Sequence, residues 1–401
     1  MEAAGERPTL TAALRPAPLQ LPPAPDPELT VADLGRVWAA VDASTSANTK
    51  AAYRSDWGRF ARWATDSGYP VLPATGLVLA AYLTDAAAQL RVDGRPQFGA
   101  ATLTRWASSV NQIHTAAGFD PPGRTEVVRR ALAGVRRTRR IPPKRRRPLL
   151  LAELRLLLTE LARSYAVWPA AMAAHRDAAL LLMGFTGAHR RSELIGLQIH
   201  DVTVHPVDGL HVRLRSSKTD QEGAGTIRAL PYGRDPATCP PCALLRWRQI
   251  LLAYDAGGRP AAMAQMRRRG NLTEHCCRDT ATETVGATRT DLTDADGVSV
   301  GVRWLFPTVH RTGQPSRKAM TGDAVAAMIQ RRAAAAGFTP TQVDLLGGHS
   351  LRSGFVTEAF RAGADAHSIM RQTGHRDPKM LEVYAREFAP LVGNAVLKLN
   401  L

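Results

Sequence analysis

No stretch of this 401-residue chain is apolar for long enough to cross a bilayer. The longest strongly apolar run, Ala178 to Phe185, falls far short of the about 20 residues a spanning helix needs, and it abuts Arg176 and Asp177. The N-terminus also lacks the order of basic, apolar and small residues that marks a secretory leader. These absences predict no membrane association and a cytoplasmic, nucleoid-associated protein. Cysteine is scarce, with four in the whole chain. Cys239-Pro-Pro-Cys242 has zinc-knuckle spacing and His275-Cys276-Cys277 offers further ligands, but adjacent cysteines are not a second CxxC. The expectation is four reduced, incidental thiols and no metal. Acidic residues are the last shortage: 35 against 52 Lys and Arg, so 52 − 35 = +17, with a pI near 10.6. A field of that sign draws polyanions, because each phosphate met by Lys or Arg releases condensed counterions. Nucleic acid is the leading partner, and a merely solubilised or ribosome-associated basic protein is the alternative on composition alone.

What is present suggests two domains, since 401 residues at 45% hydrophobic exceed what one core usually organises. Residues 1–27 are rich in Pro and Ala and read as a mobile tail. Leu29, Val31, Leu34, Val37, Trp38 and Val41 recur at helical spacing. Three further helices follow: one capped by Ser46 or Asn48 and bearing Tyr53, Trp57, Phe60 and Trp63, one through Val78 to Leu83, and one through Leu103 to Ile113. Residues 28–137 are thus expected to form an all-helical domain. Lys50, Arg54, Arg59, Arg62 and Arg105 on its polar faces are candidates for DNA contact, against the plainer reading of solvated helix faces. The run Arg136 to Pro148, including Arg139, Arg140, Lys144 and Arg145, reads as an extended basic linker because of Pro142-Pro143 and like-charge repulsion, with the boundary at 138–149.

The second domain, 150–389, is expected to open with helices at Leu150 to Ser164 and Arg176 to Phe185. A hairpin follows, Leu210 to Arg215 with Thr226 to Leu230. Asp255 to Val302 reads as a polar insertion after a helix ending near Leu252. Arg317 and Lys318 lead into a helix that Thr321 can cap, with Val325, Met328 and Ile329 on one face. That segment is a candidate for the major groove, with Arg331 and Arg332 offering further contacts. Residues 390–401 begin with Pro390 and continue with spaced leucines and valines, a short helix that can pack on its own domain or on a neighbouring protomer.

The chemistry lies in four ordered motifs. From Thr186 the chain reads Thr-Gly-Ala-His-Arg190-Arg191-Ser-Glu193-Leu; later come His349-Ser-Leu-Arg352, Gly374-His375 and Tyr384, with 384 − 375 = 9. A phosphodiester under attack concentrates charge on its non-bridging oxygens, so its catalyst needs positioned cations. Arg190 and Arg352 suit that clamp because guanidinium forks grip phosphate bidentately and stay charged. Tyr384, with an ordinary pKa near 10, becomes a nucleophile only where a base or nearby cations relieve it of its proton.

These motifs resemble the tyrosine recombinase (phage integrase) family, in which an Arg precedes a Ser/Ala-Glu-Leu helix and a Tyr follows a Gly-His by nine positions. Thr49 to Tyr53 and Ile113 to Gly118 resemble, more loosely, the core-binding domain of Cre-like members, so the resemblance spans roughly residues 44–400. It implies a mostly α fold with a small β-sheet: a helical, SAM-like core-binding domain plus a mixed α/β catalytic domain, closing around double-stranded DNA. It implies a site-specific recombinase working as a homotetramer through a 3′-phosphotyrosine, without metal or high-energy cofactor, and with accessory proteins at some sites. In that reading Lys218 protonates the leaving 5′ oxygen, His349 serves as acid/base, His375 hydrogen-bonds the phosphate and Glu193 orients its neighbours. Many members carry one residue between the Gly and the Arg where this chain has two, which admits Arg191. The register of Ser192-Glu193-Leu194 favours Arg190. The competing readings are a type IB topoisomerase and a DNA-binding protein with an inactive recombinase fold.

Overall fold

The computed structural model describes residues 31–139, 146–165, 167–215, 225–269, 272–279 and 303–388. The chain divides into two compact units, before and after the Lys144–Arg145 bond, and each is described by itself. Arg140, Lys144, Arg145, Lys218, the N-terminal tail and residues 390–401 lie outside the described residues, as does most of the expected insertion.

The first unit is helical: α1 (Val31–Ala43), α2 (Ala47–Asp66), α3 (Gly76–Ala88), α4 (Ala100–Ala116) and α5 (Glu126–Thr138). Ser46 caps α2 by accepting from the Thr49 amide, and Thr75 caps α3 by accepting from Val78. The inward faces of α2 to α5 bury Trp57, Phe60, Leu79, Leu83, Leu103, Trp106, Val110, Val128 and Leu132 in one core. Each such side chain contributes about 1.5–3 kcal/mol on leaving water. His114 is buried there with both ring nitrogens occupied, one by the Ala74 amide at 2.8 Å and one by the Val110 carbonyl at 2.9 Å. Burial holds it below the ordinary imidazole range, so it is a neutral core residue.

The helix α5 corrects the reading of the basic run. Arg136 and Arg137 are its last turn, where cations suit the carbonyl end of the helix dipole.

The second unit begins with α6 (Leu151–Ala162), α7 (Ala170–Thr186) and the short α8 (Arg191–Ile195), followed by β1 (Val202–His205), β2 (Gly209–Leu214) and β3 (Thr226–Leu230). The three strands form an antiparallel meander with Val202 opposite Val212 and Leu210 opposite Leu230, so the hairpin expected from sequence has a further strand on its β2 side. Next come α9 (Pro240–Arg269), α10 (Cys276–Asp279), the hairpin β4 (Pro307–Val309) and β5 (Pro315–Ala319), and α11 (Gly322–Ala335). The unit ends with α12 (Pro340–Asp344), α13 (Ser350–Arg361), α14 (Ala366–Thr373) and α15 (Lys379–Phe388). α7 is buried along most of its length, wrapped by α6, α9 and α13, as a helix apolar on all sides must be.

The expected insertion from Asp255 is helical as far as Arg269. A kink at Gly257 and Gly258, the latter with φ 63°, divides α9 in two, and the second half returns Ala262 and Met266 to the core. Gly-rich polarity concealed a helix–kink–helix. Among the described residues no helix is long and apolar enough to cross a membrane.

Candidate active site

The residues singled out from sequence converge at the end of α7. That helix stops at Gly187, and Ala188 adopts φ 46°, a left-handed conformation that costs a residue with a side chain roughly 1–2 kcal/mol. The turn directs the Ala188 carbonyl at Arg352, whose Nη1 donates to it at 2.6 Å. Arg190 then begins α8. Its amide donates to Glu193 Oε2 at 2.8 Å and its guanidinium to Oε1 at 2.6 Å. Arg191, the alternative from the motif spacing, lies outside this cluster, with Nη1 3.2 Å from Asp323 on α11.

Arg352 stands on α13 and is almost wholly buried. Burial, then the neighbouring Arg190 charge, lowers it to about 10, which leaves it cationic at any physiological pH. Its Nη2 lies 3.0 Å from His375 Nε2. α14 ends on Gly374, whose φ of 68° caps the helix through a bond to Met370 and turns the chain so that His375 meets Arg352. His375 Nδ1 is 2.8 Å from Thr373 Oγ1. Burial, then Arg352 and Arg190, pushes His375 down to about 4, so it is neutral at pH 7. A guanidinium can only donate, so Nε2 accepts and Nδ1 carries the hydrogen.

His349 sits just before α13 with its ring at the surface, and its Nε2 is 2.7 Å from the Tyr384 hydroxyl on α15. Desolvation by its neighbours, then the charges of Arg352 and Arg190, hold His349 below the usual imidazole range. A neutral His349 can accept the phenolic hydrogen. The Tyr384 ring packs beside Val356, Phe360, Ile369 and Leu381, which fixes α15 against α13 and α14.

Two residues of the cluster were not singled out from sequence. Arg228 on β3 is 3% exposed and donates from Nη1 to Glu193 Oε2 (3.1 Å) and to the Gly187 carbonyl (3.1 Å), and from Nη2 to the Thr373 carbonyl (3.3 Å). The same Nη1 lies 3.0 Å from His189 Nδ1, and burial pushes that imidazole down to about 3. A signal existed: strand alternation puts Arg228 on the face of Leu230, and an inward charge on a strand must be paired. Burial alone would raise Glu193, but Arg228, the Arg190 amide and the Arg190 guanidinium outweigh it and hold the carboxyl below its ordinary range. Glu193 therefore serves as the anionic hub joining α8, β3 and the end of α7.

The expected DNA-contact residues vary. Arg54, Arg59, Arg62, Arg317 and Lys318 have exposed or part-exposed side chains, Arg317 and Lys318 on β5 ahead of the Thr321 cap of α11. Arg59 lies over the Phe98 and Trp106 rings. Lys50 pairs with Asp42 at 2.6 Å, Arg105 with the buried Asp56 at 2.6 Å, and Arg139 donates to the Phe98 carbonyl at 2.6 Å. Arg332 is a correction: its guanidinium is committed to the buried Asp177, which Arg176 also grips, so it braces α11 on α7.

The phage integrase family profile matches residues 279–389, the span that contains His349, Arg352, His375 and Tyr384. An integrase/recombinase xerD homolog from Selenomonas ruminantium is 27% identical over 350 residues, covering 86% of this chain and 84% of that protein. In three dimensions the chain is similar to the XerH site-specific recombinase bound to palindromic difH substrate in a post-cleavage complex. The TM-score is 0.51 at 13% identity, over 90% of this chain and 83% of that one.

Proposed function

We propose that the chain is a member of the tyrosine recombinase (phage integrase) family, which its similarity to the family profile and to the xerD homolog supports, and that it is a site-specific DNA recombinase whose nucleophile is Tyr384. The observation that carries this reading is the 2.7 Å approach of His349 Nε2 to the Tyr384 hydroxyl, next to an arginine, Arg352, held by the Ala188 carbonyl and His375. The Tyr384 oxygen attacks a DNA phosphorus while His349 takes its proton. A bond forms from phosphorus to the tyrosine oxygen, and the bond from phosphorus to the 5′ oxygen breaks. Lys218 donates the proton that the leaving 5′ oxygen requires. The products are a 3′-phosphotyrosine and a 5′-hydroxyl, and the reverse steps reseal the strand without a nucleotide. Arg190 and Arg352 neutralise the charge growing on the non-bridging oxygens. His375 presents a neutral imidazole to the phosphate once its Nε2 bears the hydrogen, and Glu193 and Arg228 are positioning residues for Arg190.

In this reading residues 28–137 are the core-binding domain, 138–149 a linker lying on phosphates, 150–389 the catalytic domain and 390–401 a helix docking on a neighbour within a homotetramer. Arg54, Arg317 and Lys318 contact the duplex, and Lys50, Arg105, Arg139, Arg140, Lys144 and Arg145 add to its electrostatic hold. A nuclease footprint unchanged by Arg317→Ala with Lys318→Ala removes those two from the interface.

The test begins by trapping covalent adducts and sequencing the bound DNA. A plasmid carrying two copies of the recovered site then reports the reaction. Deletion or inversion between the copies, with synapses of four protomers by mass photometry, is the expected outcome. Relaxation alone by a single protomer makes the protein a type IB topoisomerase-like enzyme, and binding without adducts makes it a DNA-binding protein.

His349 also sets a pH profile. A base must be unprotonated, and His349 is depressed in the free protein, so the second-order rate of cleavage is expected to stay flat through neutral pH. It should fall on the acid side, with a midpoint below the ordinary imidazole value of about 6.5. Single-turnover cleavage at limiting protein measures it. A midpoint at or above the ordinary value, or one that survives His349→Ala, removes the assignment.

A further inference from the structure

The region around α9 and α10 has no part in the chemistry above, yet it gathers four metal-ligating atoms. Cys239 precedes α9, Cys242 lies in its first turn, and His275 and Cys277 come from the α10 segment. Their ligand atoms all lie within 4.8 Å of one another. Cys242 Sγ is 3.3 Å from Cys277 Sγ and 3.4 Å from His275 Nδ1; Cys277 Sγ is 3.9 Å from Cys239 Sγ and 3.8 Å from His275 Nδ1. A tetrahedral zinc with bonds of about 2.3 Å to sulfur and about 2.1 Å to nitrogen requires edges of about 3.8 Å and 3.6 Å. The observed edges meet that after an opening of a few tenths of an ångström.

Two surrounding contacts point the same way. His275 Nε2 lies 3.2 Å from the Arg234 carbonyl, which fixes the hydrogen on that nitrogen and leaves Nδ1 to face the sulfurs, the arrangement typical of a zinc-bound imidazole. The Gly233 amide donates to Cys239 Sγ at 3.3 Å, as backbone amides do to thiolates, and any side chain at Gly233 would strike the Cys239 backbone. Cys239, Cys242 and Cys277 are fully buried and in no disulfide. Cys276 packs beside the cluster but is not one of the four, its sulfur directed to the Cys242 carbonyl at 3.6 Å.

We propose that Cys239, Cys242, His275 and Cys277 hold a structural zinc ion that fastens the α10 segment to the start of α9. This departs from the expectation of incidental thiols, which rested on the adjacent cysteines: α10 brings Cys277 among the four converging ligand atoms, and Cys276 is not one of them. Four protein ligands close the coordination sphere, so the ion supplies folding and no open position for catalysis. Val204 of β1 and Tyr232, just beyond β3, pack on the cluster, so the ion also steadies the sheet that carries Arg228.

The full chain, expressed with zinc and purified without chelator, is expected to contain one equivalent of zinc by atomic emission. Cys276→Ser should retain it, and Cys239→Ser and Cys277→Ser should each lose most of it. Cobalt in place of zinc should give the visible bands of a tetrahedral site and a thiolate charge-transfer band, both altered but present in His275→Cys, which needs no loss of fold. Zinc release by a mercurial should lower the melting temperature. Background zinc with no tetrahedral cobalt spectrum in the wild type, a Cys242–Cys277 disulfide in mass spectra, or undiminished zinc in folded Cys239→Ser each overturns the proposal. In the last case the ion would sit elsewhere, as at His205, Asp208 and His211, and a His211→Ala control reads that directly.

Discussion

Tyr384→Phe is expected to abolish covalent adduct formation, with cleavage falling by at least about 10⁴-fold, while affinity for DNA stays within a few-fold of the wild type. The substitution removes one oxygen and keeps the ring that packs beside Val356, Phe360 and Leu381, so α15 keeps its seat on α13. What goes is the atom that bonds to phosphorus. His349→Ala should cost less, about 10²- to 10⁴-fold, because it removes proton transfer and leaves the nucleophile. The order of these two losses separates nucleophile from base. Denaturing gels of labelled duplex, run at equal occupancy, measure both. Adducts that persist in Tyr384→Phe would mean that another residue attacks.

Arg228→Met is expected to destabilise the second unit by about 3–5 kcal/mol, the usual cost of leaving a buried charge without its partner. Glu193 would keep Arg190 but lose the guanidinium that ties it to the ends of α7 and α14. The pH dependence has a definite sign. In the wild type Glu193 is held below its ordinary range, so its contribution is complete above the unfolded carboxyl value of about 4.3 and is lost as pH falls through the lower folded value. Without Arg228 the largest influence that lowers Glu193 is gone, so its carboxyl moves up and the variant relieves the loss by protonation at less acid pH than the wild type. The gap between wild type and variant should therefore be widest near neutrality and narrow towards pH 4, as read from urea midpoints. Adding Glu193→Gln to the variant should recover part of the loss. A gap that does not change with pH would show that Arg228 contributes by packing alone.

Sequence reading reached the parts of the site that are local. Arg190 beside the Ser-Glu-Leu turn, His349 three residues from Arg352, and Tyr384 nine from His375 are each set by short-range spacing, and the fold brings all of them together with His375. Arg228 escaped because its role depends on which face of β3 turns inward and on the carbonyl ends of two helices far away in the chain. Arg136 and Arg137 open a run that reads as extended because charge repulsion and the later prolines dominate that window, although the helical domain is expected to reach residue 137 and Val128, Leu132 and Val135 make α5 strongly one-sided. Gly257-Gly258 and Pro260 looked like the start of an irregular insertion, and only Ala262 and Met266 reaching the core show that the helix resumes. Strand β1 is four residues long, too short to show an alternation of its own, and gains its identity from pairing with β2.

The strained peptide at Ala188 has an electrical consequence. By offering Arg352 a carbonyl where a carboxylate would have served equally well for geometry, it positions the guanidinium without cancelling it. Among the described residues, with the imidazoles of His189, His349 and His375 neutral, the cluster holds Arg190, Arg228 and Arg352 against Glu193, 3 − 1 = +2. The cluster thus carries a surplus of positive charge that the oxygens of a phosphodiester would balance.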